Sequence, residues 1–198
     1  MQKSEDISLA LQSSPIGVFD SGIGGLTIIE CIQALLPNEQ LIYLADNKFA
    51  PYGDKSSEFI IERVNQIADF FVEQKVKAIV IACNTATVIA IDQLRQRINI
   101  PVIGVEPAIK PASISSRKQK VAILTTQATA NNQRFLSLVK SHSINTDVYI
   151  QACPGLVEQI EQGEFNSPQT KALLAKYILP LKDKGIDKLV LGCTHYPM

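Results

Sequence analysis

Short aliphatic runs alternate along this chain with longer stretches in which apolar residues recur every three to four positions. The short runs are candidate strands: Ile16–Phe19, Leu41–Ala45, Ala78–Ala82, Pro101–Val105, Val121–Leu124, Asp147–Gln151 and Lys188–Gly192. Most are apolar nearly throughout, the pattern of parallel strands covered on both faces. The stretches between them predict helices over 25–36, 56–74, 85–97, 107–116, 129–141, 154–163 and 168–183. In the second, Ile60, Val64, Ile67, Ala68 and Phe71 form one apolar face. Ser167 followed by Pro168 marks a helix start, with a serine cap and proline at the first helical position. This alternation predicts a parallel α/β fold.

Ligands in such folds sit beyond the carboxyl ends of the strands. The residues there are Asp20-Ser21, Asp46, Cys83-Asn84-Thr85, Glu106, Thr125-Thr126, Cys153 and Cys193-Thr194-His195. They are mostly polar or nucleophilic, unlike the strands behind them. The chain also repeats itself. KAIVIACNT at 77–85 matches DKLVLGCTH at 187–195, and IGVFDS at 16–21 matches VAILTT at 121–126. The two offsets are nearly equal, which predicts an internal duplication. The expected organisation is a flexible lead-in at 1–14, a first α/β domain at 15–105 and a second at 106–198. These two pseudo-symmetric parallel-sheet α/β domains would hold the active site in the cleft between them.

Composition narrows the function. Of 198 residues, 46% are hydrophobic and 19% charged, enough for a sizeable core and unlike a disordered chain. Nineteen basic residues balance nineteen acidic ones. No basic excess exists to neutralise phosphates, so nucleic acid is not an expected partner. No apolar run approaches the roughly 20 residues that span a bilayer, so no membrane partner is expected. The four cysteines are widely spaced and the two histidines are far apart, which argues against a metal site and for reduced thiols in a cytoplasmic protein.

Cys83 and Cys193 each end an apolar strand beside polar residues. A helix starting after Cys83 would favour its thiolate through free N–H groups and the positive dipole end. Two such thiols facing one carbon suggest a symmetric task. One removes a proton from one face and the other returns it on the opposite face, inverting a stereocentre without a cofactor. Cys31, inside an apolar helical run, reads as a small buried hydrophobe, and Cys153 reads as packing. Asp20 and His195 are placed to tune or relay protons for the thiols, although Asp20 also suits an N-cap and His195 a capping role. Gly22-Ile23-Gly24-Gly25 lacks the spacing of a nucleotide loop. It reads as a tight turn whose N–H groups hold a small anion such as a carboxylate. The loop from Asp46 to Gly53 carries Tyr52, which would close the cleft or pack as part of a surface turn.

Five dispersed motifs together resemble the glutamate racemases of the aspartate/glutamate racemase superfamily. They are GVFDSGIGGL at 17–26, YLADNKFAPYG at 43–53, ACNTA at 82–86, PVIGVEP at 101–107 and GCTHYP at 192–197. The resemblance implies that Cys83 and Cys193 are catalytic thiols, each serving one enantiomer, assisted by Asp20 and His195 respectively. It implies that Asp20, Ser21, Tyr52, Gly53, Asn84, Thr85, Thr194 and His195 contact the substrate glutamate, with Glu161 a further acid near the site. It implies no cofactor, neither pyridoxal phosphate nor metal nor nucleotide, and a product, D-glutamate, that feeds peptidoglycan of the bacterial cell wall. Preference for aspartate or a related acid, or a ligand-binding remnant without catalysis, are the alternatives. A homodimer is an open expectation for assembly. Thr125 stands where the family commonly has glycine. Family members also run on for several elements past the position of Met198, among them a helix after Cys193. On that comparison the chain is C-terminally truncated, and weak or absent racemisation is expected.

Overall fold

The computed structural model describes residues 13–143 and 145–198, so the expected lead-in at 1–14 lies almost wholly outside the described residues. Among these, seven strands form two sheets. β1 (Ile16–Asp20), β2 (Leu41–Ala45), β3 (Ala78–Ile81) and β4 (Val102–Gly104) lie in the order β2-β1-β3-β4. β5 (Lys120–Thr125), β6 (Asp147–Ala152) and β7 (Lys188–Leu191) lie in the order β6-β5-β7. Every pairing is parallel. The repeated segments fall on matching strands: β1 and β5 are flanked by β2 and β3, and by β6 and β7, in the same order. β4 has no counterpart among the described residues of the second sheet.

The helices follow from local sequence. Ser56 caps α2 (Ser57–Glu73) by accepting from Phe59 N–H at 3.2 Å. The five apolar positions read from the sequence are the buried ones: Ile60, Val64, Ile67, Ala68 and Phe71. Ile60, Val64, Ile67 and Phe71 each contribute roughly 1.5–3 kcal/mol by leaving water, and Ala68 less. α3 (Asn84–Arg97) faces both ways. Its Ala86, Ala90, Ile91 and Leu94 join the first core, while Val88 joins Ile109, Val121, Ile123 and Phe135 in a second. One helix therefore ties the two sheets together. α4 (Ile109–Ser115) precedes β5.

Three expectations change. The helix expected at 129–141 is two helices, α5 (Gln127–Ala130) and α6 (Gln133–His142). Thr126 caps the first by accepting from Thr129 N–H, and Asn132 caps the second by accepting from Arg134 and Phe135 N–H. The expected helix at 25–36 opens as a 3-10 turn, Ile23–Gly25, before α1 (Leu26–Leu35). Cys31 on α1 is exposed, not a buried hydrophobe, because α1 turns only Ile28, Ile29 and Ile32 toward the sheet. α7 (Leu156–Glu161) and α8 (Pro168–Asp183) complete the second half, with Ser167 capping α8 as its sequence predicts. Among the described residues no helix is long and apolar enough to cross a membrane.

Candidate active site

The ends of β1, β3 and β7 converge on one cavity. It is lined by Ser21, Cys83, Thr85, Cys193 and His195, with Pro51, Tyr52 and Gly53 from a loop of the first half and Thr126 and Val157 from the second. Its volume is about 10 Å³, roughly the room of one water. A cavity of that size is too small for an amino acid in this structure.

Cys83 is the residue before α3. Its sulfur accepts from Ala86 N–H at 3.4 Å, and its thiol donates to the Ser21 hydroxyl at 3.6 Å. Cys193 follows β7 and faces His195, with sulfur and Nδ1 3.7 Å apart. His195 is 1% exposed, and its Nε2 donates to Glu161. With Nε2 on Glu161, Nδ1 is the ring nitrogen that faces the Cys193 sulfur. A carboxylate, an imidazole and a thiol stand in line.

Asp20 is fully buried. Its Oδ2 accepts from Gly22 N–H at 3.0 Å and its Oδ1 accepts from the Thr194 hydroxyl at 3.0 Å. Burial raises its carboxyl above the usual range, opposed by the nearby imidazole of His195 and by the bonds from Gly22 and Thr194. Asp20 is therefore not an N-cap; it bridges the two halves. Asn84 is buried, its amide donating to the Val105 carbonyl at 3.1 Å. Thr85 belongs to a ring of three hydroxyls with Thr126 and Thr129, each 2.9–3.1 Å from the next.

The glycine-rich turn does hold a carboxylate, and it is the protein's own. Ile23 N–H donates to Glu161 Oε1 at 2.9 Å. A Cβ on Gly22 would stand 1.8 Å from that oxygen, and one on Gly24 would stand 2.6 Å from Thr194 Oγ1. These positions are glycine because residues of the second half seat directly on the backbone. Gly53 repeats the logic across the cleft, where a Cβ would meet Thr126 Cβ at 2.9 Å.

Comparison with known proteins decides the family. The model of the Asp/Glu/Hydantoin racemase family matches residues 23–198. The glutamate racemase of Pseudomonas aeruginosa is 48% identical over 190 residues, which are 96% of this chain and 72% of that one. The chain belongs to the Asp/Glu/Hydantoin racemase family. Glutamate racemases dominate its structural neighbours too. One from Bacillus anthracis superposes with a TM-score of 0.86 at 35% identity, covering 94% of this chain and 70% of that chain. Another, from Francisella tularensis in complex with D-glutamate, gives 0.81 at 39% identity, with the same two coverages. The expected α/β class and parallel two-sheet architecture are those of these racemases, and the protein is an amino-acid racemase.

For a racemase the thiols titrate unexpectedly. Burial pushes Cys83 up to about 11 and outweighs the helix N–H groups that lower it. Burial also pushes Cys193 well above the ordinary range, against the bond from the His195 backbone. The helix N–H groups do lower the Cys83 thiol, as expected from the sequence, but burial outweighs them, and both thiols lie above the ordinary thiol range. Cys153 is packing, as read, buried among Leu156, Tyr177 and Leu181.

Two strand-end acids turn away from the cavity. Asp46 binds Tyr52 and Arg63, and Glu106 pairs with Arg134 at 2.6 Å. The Tyr52 hydroxyl is thus spent on Asp46, which leaves its ring face and backbone toward the cavity. Sequence reading passed over Tyr43, whose hydroxyl donates to the Gly22 carbonyl at 2.7 Å, and Thr129, which joins Thr126 and Thr85 in the hydroxyl ring. The Thr-Thr-x-x-Thr spacing after β5 was the available signal for the second.

Proposed function

We propose that this racemase interconverts L- and D-glutamate without a cofactor, through Cys83 and Cys193 acting on opposite faces of Cα. The observation that carries the reading is that both thiols line one cavity, each at the end of a matching strand of a duplicated sheet. The similarity to glutamate racemases, one solved with D-glutamate bound, supports the substrate. The two halves, 15–105 and 106–198, act as domains that open for substrate and close for chemistry.

A protonated thiol is no base. At pH 7 a group titrating near 11 is ionised about once in 10⁴ molecules. The ammonium of the substrate supplies the missing cation: placed between the sulfurs, it favours thiolate over thiol. His195, fixed by Glu161, takes the proton of Cys193. Asp20, whose carboxyl is raised by burial, serves Cys83 and holds the turn that meets Thr194. One thiolate then removes the Cα proton while the opposite thiol donates one. General base catalysis supplies about 10²–10⁴-fold. Stabilisation of the carbanion supplies more, from Asn84, Thr85 and Thr194 hydrogen bonds in a cavity that excludes water. Ser21 and the Tyr52-Gly53 segment hold the remaining polar ends.

The product assigns the protein to D-glutamate supply for peptidoglycan, and the four free thiols suit a reducing cytoplasm. Incubating the protein with each glutamate enantiomer in D₂O tests the reading by proton NMR. Loss of the Cα–H signal from both is expected. Glutamate that stays protiated while aspartate exchanges would overturn the substrate, and exchange with neither would overturn the activity.

A further inference from the structure

The loop that closes over the thiols is anchored from behind. Asp46, buried at the end of β2, joins three segments. Its Oδ2 accepts the Tyr52 hydroxyl at 2.5 Å and Arg63 Nε at 3.0 Å, and its Oδ1 accepts Arg63 Nη2 at 2.8 Å. The Asp46 N–H donates to the Asp20 carbonyl at 3.0 Å, so this junction is tied to the strand end that carries the site's buried carboxyl. Arg63 comes from α2, outside the cavity. Its guanidinium lies 4.4 Å from the centroid of the Phe49 ring, which meets Phe59 edge-on at 5.5 Å. A guanidinium forked onto a carboxylate and stacked on a ring has one orientation, which a flexible ammonium does not reproduce.

We propose that Arg63 is a positioning residue of the reaction: through Asp46 it holds the Tyr52 hydroxyl, and with it the lid at 51–54, over the two thiols. The inference rests on the racemase reading. The lid lies against Thr126 of the second half with no space to spare at Gly53, so a small displacement of Tyr52 unseats it. Removing the guanidinium leaves a buried carboxylate without its cation, which then draws in water and releases the phenol. Burial, with the Asp46 contact, keeps that phenol a neutral donor well above its usual range, so the lid stays anchored across the working pH range.

The test reads the lid and the reaction separately. Arg63→Met removes the fork, Arg63→Lys keeps the charge without it, and Tyr52→Phe removes the far end of the chain of contacts. Alkylation of Cys83 by iodoacetamide, followed by peptide mass spectrometry, reports opening whether or not the protein racemises. Exposed Cys31 is the internal reference. Arg63→Met and Tyr52→Phe are each expected to raise the Cys83 to Cys31 ratio about tenfold, and Arg63→Lys about threefold. The Arg63→Met/Tyr52→Phe double variant should exceed neither single one by more than about twofold, because both act on one element. In all of them kcat/KM for both glutamate enantiomers should fall in the same order. Arg97→Met, which breaks the outer Arg97–Asp69 pair, serves as control and should leave both readouts unchanged. If Arg63→Met fails to fold by thermal melting, Arg63→Lys against Tyr52→Phe carries the decision. An unchanged alkylation ratio, or effects that multiply in the double variant, would overturn the proposal. A raised ratio in a protein that exchanges neither enantiomer would instead reject the racemase reading and keep the lid anchor.

Discussion

Cys83 and Cys193 stand at matching positions of a duplicated sheet, yet their supports differ. Cys83 is held by the backbone of the first turn of α3 and by one hydroxyl, that of Ser21. Cys193 is held by a side-chain relay, His195 and then Glu161. The two sheets deliver each sulfur from a matching strand but differ in how its proton is held. On the two-thiol reading proposed above, the two directions of the reaction would answer to different residues.

Separate replacement of each thiol gives the largest effect. Cys83→Ser and Cys193→Ser should each slow Cα exchange at least about 10³-fold when started from opposite enantiomers. Proton NMR in D₂O from L- and from D-glutamate checks this. Equal loss from both enantiomers in either variant would erase the distinction between the thiols.

A stability measurement probes what the thiols share. The Cys83 thiol moves from 9.0 in a free chain to about 11 when folded. The stabilisation of its neutral form is complete below pH 9. It fades as pH rises, and is lost once the folded thiol itself ionises near 11. Two pH units correspond to about 3 kcal/mol. Urea unfolding between pH 8 and 11 should show that decline, and Cys83→Ala should remove the Cys83 share while the shares of Cys193 and Cys153 remain.

Smaller effects divide the supports. Glu161→Gln should slow exchange about 30-fold in the Cys193 direction and only about threefold in the other, since it disturbs the tautomer of His195. Single-turnover exchange from each enantiomer separates the two. Ser21→Ala should cost about threefold, confined to the Cys83 direction. A reversal of either preference would assign the relay to the wrong sulfur.

Much of this was legible in the chain. Most strand runs are nearly all apolar, so all seven were visible, and the matched segments located the central strands. The residues at strand ends pointed to the cavity. What sequence withheld depends on encounters between distant segments. Gly22 looks like turn chemistry until Glu161 is found against it. Asp46 looks like a cavity residue until α2 brings Arg63 across it. The thiols look activated because a helix start is readable, whereas depth of burial is not. Cys31 looked buried because an apolar stretch does not announce which of its sides meets the sheet.

The water-sized cavity sets a toll on binding. If the resting population is mostly shut, the apparent affinity for glutamate is the intrinsic one multiplied by the open fraction. Substitutions that weaken closure would then tighten the measured equilibrium while slowing the chemistry, so in this enzyme strong ligand capture and fast turnover pull in opposite directions.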